Sequence, residues 1–239
     1  MRVFYFLRSL MASIVYPFLI TGVVLLFIFN EKTKKSREFQ DKVALGWARI
    51  SLRLYGVDLE IRGAENIPQR GSLFLFNHTS LFDVLSLSAS VSGLRFGAKK
   101  ELYKIPIFSY GLRISGTLPI ARENREEVFK VYQEAEARVA NGEKFALAPE
   151  GGRNSEEKLK PFKSGPFIFA INCKMPIVPV VIKGAREVLG KKDLLPNTHQ
   201  WHSKIVIEFL PLIETSEFKL NDRYQLQEKV FGEMNRHFT

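Results

Sequence analysis

A long run without charged side chains near the start of the chain restricts the fold more than any other feature. It extends over nineteen residues, from Met11 to Phe29. As a helix this run would be about 28 Å long, close to the ~30 Å hydrocarbon core of a bilayer. A helix in a soluble core is rarely apolar on every side over that length. The run therefore predicts a membrane anchor.

The residues around the run bear on how it meets the membrane. A secretory signal peptide ends in small residues at a cleavage site, whereas this run ends in Phe29-Asn30-Glu31-Lys32, so cleavage is not expected. Basic residues stand on both sides of the run: Arg2 and Arg8 before it, and Lys32, Lys34, Lys35 and Arg37 after it. The heavier cluster marks the cytosolic side of a spanning helix. Charge at both ends, with Pro17 inside, also fits a segment within one leaflet.

Both geometries predict the same location for the rest of the chain, which is the cytoplasmic side of the inner cell membrane. A second amphipathic segment over residues 39–55 could lie against the first helix or on the membrane interface. Gly56 and Gly63 mark the exit from this region. We therefore divide the chain into a two-helix membrane anchor, residues 1–57, and a second domain, residues 58–239.

The distribution of charge indicates the class of partner. Net charge is +10, and residues 1–55 contain nine basic and three acidic residues, so over half of the excess lies in the first quarter of the chain. A basic protein can bind nucleic acid. Here the positive charges flank the most apolar segment, which favours attraction to an anionic membrane surface. We expect membrane lipids as partners and no nucleic acid.

Beyond the anchor, short apolar runs alternate with helix-length segments. The runs are continuous, as in strands buried on both faces; they are Leu73–Phe76, Phe145–Ala148, Ile177–Ile182 and Ile205–Phe209. Residues 123–141 carry apolar residues at helical spacing, and Gly142 is placed to end that helix. This alternation predicts an α/β domain with a largely parallel sheet flanked by helices. In such sheets, ligands bind beyond the carboxyl ends of the strands.

A histidine and an aspartate follow the first of these runs, in Asn77-His78-Thr79-Ser80-Leu81-Phe82-Asp83. Ser80 suits the N-cap of a helix that begins at Leu81, which puts His78 in the loop and Asp83 in the first helical turn. A carboxylate beside a histidine fixes its tautomer and stabilises the imidazolium, so the pair could act as a general base. Asp83 could instead complete a capping box with Ser80, and the spacing alone favours neither role.

Two further strand ends carry charged residues. In Pro149-Glu150-Gly151-Gly152-Arg153 the glycines permit a tight turn whose N–H groups point inward, which suits an anion. Arg153 could contact a phosphate, or it could only pair with Glu150 at the surface. Arg122 precedes the helix 123–141, where a cation opposes the helix dipole. Its anionic partner is a bound phosphate or one of Glu123, Glu126 and Glu127.

The remaining histidines and the cysteine do not suggest a cofactor site. His199, His202 and His237 lie in polar or terminal stretches. No cysteine or carboxylate clusters with a histidine at metal-ligand spacing, so no metal is expected. Cys173 is the only cysteine, which excludes an intramolecular disulfide. Its apolar surroundings indicate a small core residue rather than a nucleophile.

Taken together, these blocks resemble the glycerolipid acyltransferase family, and most closely its bacterial 1-acylglycerol-3-phosphate acyltransferases. Asn77–Asp83 is similar to the family's first block, a histidine and an aspartate separated by four residues. Gly116–Arg122 resembles the second block and Pro149–Arg153 the third. The order is kept over roughly residues 60–185, and further similar segments are Ala98–Leu102, Ile105-Pro106, Pro161–Gly165 and Ile177–Ile182.

The chain departs from the family pattern around the second and third blocks. The third usually reads Phe-Pro-Glu-Gly-Thr-Arg-Ser, and Ala148, Gly152 and Asn154 replace its Phe, Thr and Ser. The second usually has an aromatic residue where Pro119 stands and often an Asp where Ala121 stands. Because the charged positions remain, the changes bear on the identity of the acceptor more than on the reaction.

The resemblance implies a reaction and a role for each site residue. An acyl group would pass from acyl-CoA or acyl carrier protein, without any cofactor, to the free hydroxyl of a lysophospholipid, 1-acyl-sn-glycerol 3-phosphate, giving phosphatidic acid. His78 would be the base, Asp83 its orienting partner, and Lys99 or nearby backbone N–H groups would stabilise the oxyanion. The acceptor would be bound by Arg122, Glu150, Gly151 and Arg153. The alternatives are another lysolipid acceptor, such as lysophosphatidylglycerol or a lyso-aminolipid, and a non-catalytic lipid-binding membrane protein.

Overall fold

The apolar runs of the sequence form strands of one seven-stranded sheet. The computed structural model describes residues 2–32, 37–106, 108–121 and 123–238. The strands are β1 (Val57–Arg62), β2 (Leu73–Phe76), β3 (Leu94–Lys99), β4 (Leu118–Ile120), β5 (Lys144–Leu147), β6 (Ile177–Lys183) and β7 (Ser203–Phe209). The helices are α1 (Arg2–Lys32), α2 (Arg37–Leu54), α3 (Leu81–Ser90), α4 (Phe108–Ile114), α5 (Arg125–Ala140), α6 (Gly165–Asn172), α7 (Ala185–Val188) and α8 (Arg223–Phe238).

The order of the strands determines where the site can form. It is β1-β7-β6-β2-β5-β3-β4, and every adjacent pair is parallel except β6 and β7. The predicted α/β class with a largely parallel sheet is therefore confirmed. Parallel neighbours end at the same edge of a sheet. The carboxyl ends of β2, β5, β3 and β4 consequently lie side by side, and the predicted site residues follow these four strands.

Helices cover both faces of the sheet, because successive strand residues point to opposite sides. In β2, Phe74 and Phe76 enter the core beneath α2, α3 and α7, whereas Leu73 and Leu75 enter the core beneath α5, α6 and α8. The predicted helix over 123–141 is α5, which Asn124 caps by accepting hydrogen bonds from the N–H groups of Glu126 and Glu127. Gly142 follows the helix with φ +83°, a conformation that glycine adopts readily.

Helix α1 packs along the flank of the α/β domain. Near one end, Arg8 and Ser9 donate hydrogen bonds to backbone carbonyls of residues 196–201. Further along, α1 passes so close to α4 that a Cβ atom on Gly111 would lie 3.0 Å from Val24. Most of its large apolar side chains are nevertheless exposed. Within the described residues, α1 is the one helix long and apolar enough to cross a membrane.

Helix α2 differs from α1 because it packs on the domain with polar as well as apolar contacts. Its Asp41 accepts a hydrogen bond from the buried Arg95 of β3 at 2.6 Å. Its Trp47 stacks on Tyr16 of α1, with ring centroids 6.5 Å apart. It therefore connects α1 to the sheet, and its polar composition is not that of a membrane span.

Candidate active site

The histidine loop begins where Asn77 fastens β2 to β6. The buried Asn77 side chain donates to the carbonyl of Ile182 at 2.9 Å and accepts from the N–H of the same residue at 2.7 Å. These two bonds continue the pairing of the strands through a side chain. The backbone therefore turns away from the sheet at the next residue, which is His78. The sequence alone predicts no role for Asn77, although a polar residue directly after an apolar run is the signal that marks it.

His78 and Asp83 are in contact. Nδ1 of His78 lies 3.0 Å from Oδ2 of Asp83, the histidine side chain is 12% exposed and the aspartate is fully buried. The same Oδ2 accepts hydrogen bonds from the N–H groups of Thr79 at 2.6 Å and Ser80 at 2.8 Å. Ser80 Oγ accepts from the N–H of Phe82, which completes the cap of α3. One carboxylate oxygen thus serves both as helix cap and as histidine partner.

This geometry determines which ring nitrogen is available. An ionised carboxylate only accepts hydrogen bonds, so Nδ1 of His78 carries the hydrogen and Nε2 has the free lone pair. The ring also packs edge-on against Phe76, with centroids 5.6 Å apart, which restricts its rotation. His78 is therefore held with Nε2 free to accept a proton from a hydroxyl group placed beside it.

Glu150 holds the backbone of His78. It is buried, its Oε1 accepts from the N–H of His78 at 3.1 Å, and its Oε2 accepts from the Asn154 side chain at 2.7 Å and the Lys160 N–H at 2.9 Å. The N–H of Asn154 donates in turn to the carbonyl of His78 at 2.6 Å. Glu150 was expected to bind the acceptor or to pair with Arg153, and it instead bonds to the protein's own N–H groups. The reason is that β5 lies beside β2, which brings its following loop onto His78.

Asn154 is a second positioning residue in this loop. Only 1% of it is exposed, and its side chain also donates to the carbonyl of Lys158 at 2.6 Å. The sequence singled it out as a departure from the family pattern without a role. A buried asparagine in a polar loop would have been the signal, but burial cannot be inferred from the sequence of such a loop.

The other predicted site residues are placed differently. Gly151 has φ +81°, and its N–H donates to the carbonyl of Ala148 at 3.1 Å, so this N–H closes the turn and does not face an anion. Arg153 is partly buried and makes no hydrogen bond or ion pair with the part of the chain that the structure describes. Arg122 lies outside the described residues.

Lys99 ends β3 at the same edge of the sheet. Its side chain is 50% exposed, and its ammonium group lies 3.7 Å from the Glu101 carboxylate. One strand, β5, separates β3 from β2, so the two backbones are about 10 Å apart. The backbone amides of residues 78–80, near the predicted base, are already bonded to Glu150 and Asp83. Lys99 therefore remains the predicted donor.

Cys173 is unsuited to nucleophilic chemistry. It follows α6 and is partly buried. Burial raises the pKa of its thiol to about 12, and the Glu136 carboxylate adds to the increase. Because the thiolate is the nucleophile, a cysteine with so high a pKa is inert at neutral pH. This agrees with its interpretation as a small core residue.

We expect Glu150→Gln to lower kcat without raising the KM for the acceptor. Each Glu150 oxygen faces N–H donors, so a glutamine must point its own NH₂ group at one of them. An unsatisfied buried donor costs about 1–3 kcal/mol of stability, and the His78 backbone loses one of its supports. Steady-state kinetics and a thermal melt test this. If the KM for the acceptor rises while kcat stays constant, Glu150 binds the acceptor, as the sequence predicts.

Known proteins resemble this chain in sequence. The model of the acyltransferase family matches residues 58–183. A chloroplastic 1-acyl-sn-glycerol-3-phosphate acyltransferase of Brassica napus is 26% identical over 188 residues, which cover 77% of this chain and 54% of that protein. A 1-acyl-sn-glycerol-3-phosphate acyltransferase of Helicobacter pylori is 26% identical over 97% of this chain and 94% of its own length. The chain thus spans about half of the plant protein and nearly all of the bacterial one.

The fold of the chain is similar to that of a solved structure. The crystal structure of the 1-acyl-sn-glycerophosphate acyltransferase PlsC from Thermotoga maritima superposes with a TM-score of 0.83 at 24% identity, over 100% of this chain and 96% of that one. At this identity the likeness concerns the fold alone. It includes the segments that form α1 and α2, since the whole of this chain is covered.

Proposed function

This chain belongs to the acyltransferase family, and we propose that it transfers a fatty acyl group to the free hydroxyl of 1-acyl-sn-glycerol 3-phosphate, giving phosphatidic acid. The observation that carries the proposal is the His78–Asp83 contact at the carboxyl edge of the sheet, at 3.0 Å. The acceptor is the substrate named for the similar enzymes of Brassica napus and Helicobacter pylori.

The proposed reaction is one direct transfer. The acceptor hydroxyl gives its proton to Nε2 of His78 while its oxygen attacks the thioester carbonyl. The tetrahedral intermediate then expels the thiolate, which takes the proton from the imidazolium, and the ester remains on the acceptor. Asp83 stabilises the imidazolium through Nδ1–H, and a general base contributes about 10²–10⁴-fold. Lys99, on its flexible stem, would stabilise the oxyanion.

The proposed reaction requires no covalent acyl-enzyme. The hydroxyl of Ser80, two residues after His78, is engaged in two hydrogen bonds. Its Oγ donates to the Leu189 carbonyl at 2.8 Å and accepts from the Phe82 N–H at 3.2 Å. The Cys173 thiol is held in its neutral form by its raised pKa. The acceptor hydroxyl is therefore the nucleophile in our proposal.

We assign the acceptor phosphate to Arg153, together with Arg122. Arg153 follows β5 at the same edge of the sheet as His78, and it makes no ion pair with the described residues. A guanidinium can bind two phosphate oxygens at once.

Arg153→Ala should raise the KM for the acceptor by roughly 10- to 100-fold, because a charge-assisted hydrogen bond contributes about 1.5–3 kcal/mol. The KM for the acyl donor should not change, and Arg153→Lys should restore part of the acceptor affinity. The measurement is acyl transfer at varied concentrations of each substrate. An unchanged acceptor KM in the alanine variant would count against the phosphate role.

We further propose that α1 and α2 form a two-helix anchor on the cytoplasmic side of the inner membrane, with α1 within one leaflet. Helix α1 contacts the domain from Arg8 to Val24, which is about 24 Å of helix. An upright helix could not make these contacts across a ~30 Å hydrocarbon core without drawing the domain into it. A helix in the plane of the interface keeps both its domain contacts and the lipid exposure of its apolar face.

The decisive experiment supplies the purified full chain with a panel of lysolipids, each paired with acyl-CoA and with acyl carrier protein. We expect the highest kcat/KM with 1-acyl-sn-glycerol 3-phosphate. Preference for lysophosphatidylglycerol or a lyso-aminolipid would keep the chemistry and replace the acceptor. Failure to release thiol from either donor with every acceptor would favour a lipid-binding protein without activity.

A further inference from the structure

A loop at the active-site edge exposes an apolar tip beside basic residues. This loop, residues 189–202, connects α7 to β7, and we call it the 189–202 loop. Leu194 at its tip is 96% exposed, and Trp201 near its end is 50% exposed. Lys191 and Lys192 are exposed beside Leu194. A protruding leucine of this kind loses no contact within the protein when it is moved into an apolar environment.

The base of the loop is firmly bound to the domain. The N–H of Asn197 donates to the carbonyl of Val188 at 2.6 Å, and its side chain donates to the carbonyl of Tyr55 at 2.9 Å. Its side-chain oxygen accepts from Ser203 Oγ at 2.6 Å. These bonds hold the two ends of the loop together. The tip therefore projects from a rigid base.

The loop is also fastened to the beginning of α1. Arg8 of α1 donates hydrogen bonds to the carbonyls of Asn197, Gln200 and Trp201, and its guanidinium lies 4.8 Å from the centroid of the Trp201 ring. The neighbouring Ser9 donates to the carbonyl of Pro196. The loop and the first turns of α1 thus form one surface, on which Val3, Phe4 and Leu7 of α1 are exposed as well.

We infer that the 189–202 loop is a second membrane-contact element, which places Leu194 and Trp201 in the interfacial region of an anionic phospholipid bilayer while Lys191 and Lys192 bind headgroup phosphates. This inference rests on the proposed anchoring by α1, whose exposed apolar face continues into the loop. Tryptophan is enriched at the boundary of lipid and water. Lysine can extend its charge to the headgroups from an apolar surface.

The acidic residue of the tip does not oppose contact with anionic lipid. Asp193 turns its carboxylate back onto the N–H of Gly190 at 2.7 Å. The lysine side chains are left as the outward charges beside Leu194. A protein partner would require a broad complementary surface, about 800 Å² per partner, whereas a convex tip with one leucine suits insertion between lipid headgroups.

Insertion of the loop would also align the active site with the lipid. The carbonyl of Leu189, at the start of the loop, accepts from Ser80 Oγ at 2.8 Å. Ser80 caps α3 and lies two residues after His78. When the 189–202 loop is held at the bilayer surface, this contact fixes the distance between the His78 loop and the bilayer. His78 is then at the level at which the hydroxyl of a membrane-bound acceptor lies.

Trp201 provides a direct probe, because the chain has two tryptophans and Trp47→Phe leaves Trp201 alone. The full chain with this substitution is bound to vesicles of phosphatidylglycerol and phosphatidylcholine that carry bromine on the acyl chain, at a shallow or a deep position. We expect the Trp201 emission to shift to the blue, and the shallow bromine to quench it more than the deep one. Bound protein with unshifted, unquenched Trp201 would overturn the inference.

Variants at the tip test which side chains carry the contact. Leu194→Asp, on the same background, should abolish the quenching while α1 keeps the protein on the vesicles. Leu220→Asp is the matched control: Leu220 is 47% exposed beside α8, on the opposite face of the sheet, and its substitution should change nothing. Equal quenching in both aspartate variants would overturn the inference.

The lysines are tested through the charge of the vesicle. Lys191→Ala with Lys192→Ala should weaken binding to anionic vesicles by about 10- to 30-fold, and binding to pure phosphatidylcholine should be unaffected. A Trp201 blue shift that grows with protein concentration without vesicles would overturn the inference and assign the tip to a second copy of the chain. Activity on a detergent-dispersed acceptor is measured in parallel, so that failure of the proposed function is seen separately from failure of the lipid contact.

Discussion

His78→Ala should lower acyl transfer by about 10²–10⁴-fold, the range that a positioned general base contributes. Nε2 of His78 is the free proton acceptor of the pair, because Nδ1 is engaged by Asp83 at 3.0 Å. Removing the imidazole leaves the acceptor hydroxyl to react in its protonated form. The measurement is thiol release from the acyl thioester in the presence of acceptor.

The fold of the His78→Ala variant should remain intact. Glu150 and Asn154 bond to the backbone of residue 78 and do not depend on its side chain. We therefore expect an unchanged thermal melt and unchanged vesicle binding. His237→Ala is the control, since this histidine of α8 is paired with Glu208 away from the His78 loop. Retained activity in a purified, folded His78→Ala protein would refute the assignment of the base.

Asp83→Ala should reduce acyl transfer almost as far and also destabilise the protein. Its Oδ2 is the acceptor for Thr79 N–H, Ser80 N–H and His78 Nδ1. Without the carboxylate, two buried amides lose their partner, at about 1–3 kcal/mol each, and the imidazolium loses its counter-charge. Because the two residues act as a unit, the double variant with His78→Ala should be no less active than His78→Ala alone.

Asp83→Asn separates the two roles of this carboxylate. The amide oxygen can still cap α3 and accept from Nδ1, and the amide nitrogen would occupy the place of Oδ1, which has no hydrogen-bond partner among the described residues. Stability should therefore fall much less than in Asp83→Ala. Activity should still drop by roughly tenfold or more, because a charge-assisted hydrogen bond is about twice as strong as a neutral one.

Kinetics and thermal melts of Asp83→Asn and Asp83→Ala provide the test. A stable Asp83→Asn protein with full activity would reduce Asp83 to a helix cap. Equal loss of stability in both variants would show that the negative charge itself is needed by the cap.

Four strands of the sheet were predicted from continuous apolar runs, and the other three show why that signal is incomplete. Strand β1 alternates apolar and charged residues, since it is an edge strand with a single neighbour. Strand β3 contains Arg95, which is buried because it pairs with Asp41 of α2. Strand β4 has three residues, including Pro119. Each of these strands depends on partners that are distant in sequence.

By itself the sequence determined the apolar N-terminal segment, the α/β class, and the spacing that puts Asp83 in the first turn of a helix and His78 in the loop before it. These features are local, because they depend on hydrophobic periodicity and capping within a few residues. The tertiary structure alone decided that Glu150 supports His78, a residue 72 positions away, and that the loop around Trp201 meets Arg8. Such contacts follow from strand order and helix packing, which no short stretch of sequence encodes.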